Sequence, residues 1–317
     1  MGAKVSLLKV LGTLDDCLSD SALIDRAPTD VVHNLRAGIL RQGLAVLTFS
    51  AMETFIRERT GEVLRSFTNT SLTFADLSDE LQSASTLGAL EGVRFRLKLQ
   101  AQQDKVAWLV GALAPIANAM MDITNLSDHS FGYASSNLVV DDVSKILKAF
   151  GVESPWIQMT GLTSRLGVSL LDCKSEFEAI MRRRHSSAHS IAGSIPHSDL
   201  QGSLRSVLAI CITFDVLLSG ARALINDGRS PGASGRPKLT SSGLNFIFVE
   251  SRQNGREFVV RKEQLPPPAA RLYRSTLRVF SDETVALEFG EQYANRHHGN
   301  MVVLGVAATP VNWITWA

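Results

Sequence analysis

The chain has 317 residues, of which 45% are apolar and 20% charged; that is enough to bury a sizeable core and excludes a disordered polymer. Its 32 basic and 31 acidic residues leave a formal charge of +1, so no global attraction for a polyanion exists and any nucleic-acid binding requires a local patch. Cys17, Cys173 and Cys211 are odd in number, widely spaced and without a CxxC pair, and are expected to be buried free thiols.

From the N-terminus, Met1 to Val5 open an amphipathic segment, helical over about 5–24, that is interrupted by Asp15 and Asp16 and has no apolar stretch of signal-peptide length. Between Asp30 and about Phe67, Leu40, Leu44, Leu47, Ala51 and Phe55 form one helical stripe and Val46, Phe49, Met52 and Ile56 an adjoining one, predicting a long helix with a wide buried face. Further helical patterns cover about 75–101, 104–122, 141–149 and 165–190, with Asp76 or Ser78 and Asp141 as candidate N-caps. The run from Val106 to Met121 holds Pro115 and Asn118 and falls short of the roughly 18 to 20 residues that span a bilayer. It is expected to be a buried core helix, and the protein cytoplasmic, with no membrane partner. From Leu200 to Ile225 the chain is apolar nearly all round, as in the middle of a bundle.

The turn formers that follow, Asn226 to Pro237, mark the best domain boundary. Beyond it, Leu244 to Val249 and Glu257 to Val260 read as strands with Asn254-Gly255 between them, a hairpin signal. A triple proline leads to a short predicted helix around Ala269 to Leu277, and Thr284 to Phe289 and Met301 to Leu304 are further strand candidates. The chain is therefore expected to be mainly α: a helical domain over 1–226, a flexible linker over 227–242, and a small mixed α+β domain over 243–317.

Three arginines and two histidines stand together in Arg182-Arg183-Arg184-His185-Ser186-Ser187-Ala188-His189, at the end of an amphipathic helix. Guanidinium groups bind a phosphodiester bidentately and stabilise the charge of a pentacovalent transition state. An imidazole near neutrality takes a proton from a 2′-hydroxyl or gives one to a leaving 5′-oxygen. These parts suffice for RNA cleavage without a metal or other cofactor. His185 and His189 also have the i, i+4 spacing of two metal ligands, but no acidic residue or cysteine accompanies them at a ligand spacing, and no metal is expected.

Arg184, the polar His185 and then His189 resemble the Arg-x4-6-His motif of HEPN domains, and Phe49 to Ile56, with Glu53, resembles the acidic first-helix segment that often precedes it. Arg183 and Arg182 satisfy the five- and six-residue spacings, so the motif arginine is open among the three; Arg184 is favoured by the polar residue after it. The resemblance implies an HEPN-like bundle and a metal-independent endoribonuclease of toxin or antiviral-defence type. It would act as a homodimer with a composite site and leave 2′,3′-cyclic phosphate and 5′-hydroxyl ends. Arg184, His189 and His185 would then be catalytic, Arg182 and Arg183 substrate-binding, and Glu53 a support for the motif; an antitoxin or defence-system protein is a further expected partner. On a regular helix Arg184 and His189 lie about 140° apart, so either the helix bends or two copies supply complementary groups.

Plainer readings stand beside these. The arginines alone suit a solvated cationic helix end. Glu53, on an apolar stripe, needs a cationic partner, which is either Arg57 one turn on or an arginine of the 182–184 cluster. The other functional class is a non-catalytic helical module that binds a partner protein or a nucleotide.

Overall fold

A computed structural model of the chain describes residues 2–69, 71–133, 137–168, 170–189, 195–264, 273–305 and 308–316. The chain is mostly helical with a small five-stranded mixed sheet at its C-terminal end. Helix α1 (Ala3–Leu18) buries Leu7, Leu11, Leu14 and Leu18 at helical spacing, against α2 (Val31–Leu64). The carboxylate of Asp30 starts α2 by accepting from the His33 backbone N–H, and the 34 residues that follow run for about 51 Å. A helical stretch with one π turn at Ala84–Gly88 joins α3 (Asp79–Ser83) to α4 (Ala89–Leu97), and α5 (Lys105–Asn118) folds back on α4. Then come α6 (Val140–Ala149), α7 (Pro155–Leu166), α8 (Cys173–His189) and α9 (His197–Asn226).

Helix α9 lies at the centre. Ile210, Phe214 and Leu217 on one side and Ala209, Ile212 and Val216 on the other are all buried, as its all-round apolar sequence requires. Helices α2 and α9 are the two described helices that are long and apolar enough to cross a membrane; 83% of the apolar window of α9 is buried inside the fold, and half of that of α2.

The expected 165–190 helix is α8 alone, which starts only at Cys173; α7, over 155–166, lies almost wholly outside the expected helical segments. Gly167 takes φ +78° at the end of α7, a left-handed turn that stops the helix. Helix α5 departs from its expected burial: none of its residues is buried, because its principal neighbour is α4 alone. Cys17 is exposed, while Cys173 and Cys211 are buried.

The sheet has the order β3-β2-β1-β4-β5, from β1 (Asn245–Arg252), β2 (Glu257–Gln264), β3 (Tyr273–Phe280), β4 (Gly299–Leu304) and β5 (Pro310–Ile314). Only the neighbours β1 and β4 run parallel, and β2, β3 and then α10 (Glu283–Arg296) lie between them in the chain. The expected strand over Thr284 to Phe289 is part of α10: Asp282 caps it by accepting from the Val285 N–H, and Ala286, Gly290 and Ala294 form a small-residue stripe that lets it sit close on the sheet. The expected short helix near 269–277 is β3 from Tyr273 onward; residues 269–272 lie outside the described residues.

Alternation divides the sheet between two cores. Ile247, Val249, Val260 and Met301 face α10, whereas Phe246, Phe248, Val302, Leu304 and Trp313 join the helical core. Two buried polar links reinforce this docking. Arg165 of α7 pairs with Glu263 of β2 and donates to the Leu244 carbonyl at 2.6 Å. Asp215 of α9 accepts from the Trp313 indole at 2.7 Å and from Arg59 of α2 at 2.6 Å. Burial works against the Arg59 charge, but the Asp215 carboxylate outweighs it and holds the guanidinium pKa above its usual value.

The segment 227–242, expected as a flexible tether, is packed. Leu239 bridges Val152 and exchanges backbone hydrogen bonds with Gly151 and Glu153, and Ser230, Pro231 and Ala233 are buried. Gly151, at φ +77°, makes this possible: a Cβ there would collide with the Pro231 carbonyl.

Candidate functional site

Helix α8 begins where the Asp172 carboxylate accepts from the Ser175 N–H at 2.8 Å and the Lys174 N–H at 3.3 Å. The hydrogen bond from the Ser175 hydroxyl, together with these, holds the Asp172 carboxyl below its usual pKa. Cys173, Phe177 and Ile180 then form the buried face. Phe177 meets Phe49 of α2 edge-on at 6.0 Å and Trp156 of α7 at 5.6 Å. Ile180 is the last fully buried residue of α8, so the roughly two and a half turns that follow are half-buried on one side and exposed on the other.

The helix continues through His189 without a break. At about 100° per residue, Arg182, His185 and His189 therefore fall within an arc of roughly 60°. All three are exposed, and the His185 and His189 rings lie 4.6 Å apart. Among the described residues Arg182 makes a loose pair with Glu178, at 3.6 Å, a contact its exposed guanidinium can exchange for a phosphate.

Arg184 lies elsewhere. It is about 140° from His189, on the side of the helix that carries Cys173 and Phe177, and its Nε is buried with no hydrogen-bond partner among the described residues. Arg183 turns toward α9 and donates to the Ser203 hydroxyl at 3.2 Å. The sequence left the motif arginine open, and the geometry puts Arg182 with the histidines.

Beside the stripe opens a cleft of about 350 Å³ whose lining includes Arg182, Arg183, Ser186 and Ser187 of α8, Asp199 of α9 and Gln42 of α2. Arg182 belongs to both the stripe and the cleft. The Ser187 Oγ is buried without a hydrogen-bond partner among the described residues. Two guanidinium groups and two hydroxyls converge here, a donor set that suits an anionic oxygen; Asp199 opposes it and would favour a ligand that also carries donors, such as a ribose or base. His197, near the motif in sequence, is committed elsewhere: its Nε2 lies 2.7 Å from the Leu18 carbonyl.

Glu53 pairs with Arg57 at 3.0 Å and accepts from the Leu138 backbone N–H. Gln42, not Glu53, is the residue of α2 at the cleft, and Glu53 lies eleven residues, or about 16 Å, further along the helix. Of the two partners open to Glu53, the structure realises the one a turn away.

A second cleft, of about 730 Å³, went unnoticed in the sequence; the π turn at Ala84–Gly88, His129 and Tyr133 line it. Its sequence signal is Gly88 and Gly92 within a helical pattern, and a Cβ on either would crowd the 129–130 backbone. Burial lowers the His129 pKa and raises that of Tyr133. Among the described residues, no group of three or more His, Cys, Asp or Glu side chains is placed to share a metal ion.

Comparisons with protein-family models, curated proteins and solved structures returned no match. The likeness to HEPN domains therefore rests on the α8 motif and the Phe49 to Ile56 segment of α2.

Proposed function

We propose that this protein is a metal-independent endoribonuclease of HEPN-like type, a toxin or antiviral-defence effector of the cytoplasm that acts on RNA as a homodimer. The observation that carries the reading is the common stripe of Arg182, His185 and His189, of which Arg182 also lines the neighbouring cleft. His189 accepts the proton of a 2′-hydroxyl as the 2′-oxygen attacks phosphorus. The bond from phosphorus to the 5′-oxygen breaks, and a second imidazole, His185 or the partner copy's His189, protonates the leaving oxygen. Arg182 holds the scissile phosphate and Arg183 a flanking one. The products carry a 2′,3′-cyclic phosphate and a 5′-hydroxyl.

His189→Ala is expected to abolish cleavage of single-stranded RNA and to relieve growth inhibition on expression, with fold and dimer intact. Undiminished cleavage by that variant refutes the reading. The side of α8 on which Arg184 lies favours a second reading, a non-catalytic module that binds a nucleotide or a partner such as an antitoxin through the cleft. Equal growth effects of wild type and His189→Ala would support that one.

A further inference from the structure

The cleft beside the α8 stripe sets one carboxylate, Asp199, across from two guanidinium groups, Arg182 and Arg183, without an ion pair between them. Asp199 stands exposed in the first turn of α9, and its carboxylate makes no ion pair or hydrogen bond among the described residues. Arg182 pairs loosely with Glu178 instead, at 3.6 Å, and Arg183 donates to the Ser203 hydroxyl at 3.2 Å. That hydroxyl donates to the Asp199 carbonyl at 2.7 Å, so the backbone of this turn is tied to α8 while its carboxylate stays open to the cleft. Ile195 and Pro196 add an apolar wall, and the buried Ser187 Oγ, on the α8 side, has no hydrogen-bond partner among the described residues. At about 350 Å³ the space is at the small end of the roughly 300 to 1,000 Å³ of ligand pockets, a size for one nucleotide.

We infer that this cleft is a guanine subsite, in which the Asp199 carboxylate accepts the N1–H and N2–H groups of the guanine Watson–Crick edge. The donor pattern selects the base. An ionised carboxylate only accepts, and it is best satisfied by two donors side by side. Guanine alone among the RNA bases presents two neighbouring donors on that edge. Adenine and cytosine present a donor beside an accepting ring nitrogen, and uracil a donor flanked by two carbonyl oxygens, which a carboxylate repels. The remaining polar edge of guanine carries the acceptors O6 and N7, which suit the Ser186 and Ser187 hydroxyls of α8. Arg182 fixes the frame, because it belongs to both the cleft and the histidine stripe: with the base in the cleft, the 3′-phosphate of the same nucleotide falls to Arg182. Base recognition stands on the cleft alone. Its catalytic meaning rests on the ribonuclease reading, in which the bound nucleotide supplies the attacking 2′-hydroxyl, so that cleavage falls on the 3′ side of guanosine and leaves guanosine 2′,3′-cyclic phosphate.

The test titrates the full chain calorimetrically with the 3′-monophosphates of guanosine, adenosine, cytidine and uridine, which hold no phosphodiester to cleave. Guanosine 3′-monophosphate is expected to bind about 5- to 150-fold more tightly than the other three, the value of one bidentate base contact. Inosine 3′-monophosphate, which lacks the N2 amino group, should fall between. Asp199→Asn should bring guanosine down to the level of the others and leave uridine 3′-monophosphate unchanged. An Asp199 that serves only the dipole of α9 would lose stability on this substitution and change no base preference. Equal affinities for the four nucleotides, no binding of any, or a guanine preference that survives Asp199→Asn would overturn the inference. Selective guanosine binding by a protein that cleaves no RNA upholds the subsite and removes the ribonuclease reading; cleavage that falls equally after all four bases does the reverse.

Discussion

Arg184 and His189 lie on different sides of one unbroken helix: His189 is exposed beside His185, while Arg184 buries its Nε on the side of Cys173 and Phe177. The family-type spacing is therefore present in the sequence, but a straight helix does not aim both groups at one phosphate. Arg182, one helical stripe with the histidines, does.

Arg182→Ala is expected to lower kcat/KM for RNA by about 10- to 100-fold, the value of one charge-assisted phosphate contact. Arg184→Ala should cost less activity. Steady-state kinetics on one oligoribonucleotide decides the matter, and the opposite ranking would return the motif to its four-residue spacing.

Glu53→Ala removes the partner of a part-buried Arg57 and of the Leu138 N–H. Stability should fall by about 2 kcal/mol in chemical denaturation, while the kcat of the folded fraction stays unchanged. A selective loss of kcat would instead tie Glu53 to the motif.

Thiol titration offers a check on the core. Burial pushes the Cys173 thiol up to about 11 and raises that of Cys211 well above its usual value. Ellman's reagent at pH 8 should therefore modify one cysteine in the native protein, the exposed Cys17, and all three after unfolding.

His129, between Trp108 and Tyr133, has its pKa lowered by burial. The unfolded chain then binds the proton more readily than the folded one, so its contribution is present above about pH 6.5 and is lost as pH falls below it. Melting curves should show this decline in the wild type and a flatter profile in His129→Phe.

The long helices were legible where their apolar periodicity is also their burial, which holds for α9 and the second half of α2 but not for the first half, where Leu40 and Leu47 of the predicted buried stripe are exposed. Phe49, Met52 and Ile56 are core residues on the predicted face, and Leu200 to Ile225 is the central helix. The apolar run of α5 was misread for the converse reason: hydrophobicity predicts burial only where a neighbour exists, and α5 has little beyond α4. In α10 the alternation of Val285, Leu287 and Phe289 mimicked a strand, while the deciding stripe of Ala286, Gly290 and Ala294 is too small to register as apolar patterning. The Arg and His cluster was visible as composition. The relative placement of these side chains followed from helical spacing; that the helix runs unbroken to His189, and that the Arg184 side is the one continuous with the core face, only the fold supplies.

The most direct test of the central claim is end-group chemistry on RNA incubated with the pure protein in the presence of a chelator. The account predicts 2′,3′-cyclic phosphate and 5′-hydroxyl ends, formed at an undiminished rate and absent with His189→Ala. Ends bearing 3′-hydroxyl and 5′-phosphate, or cleavage that chelation stops, would contradict it.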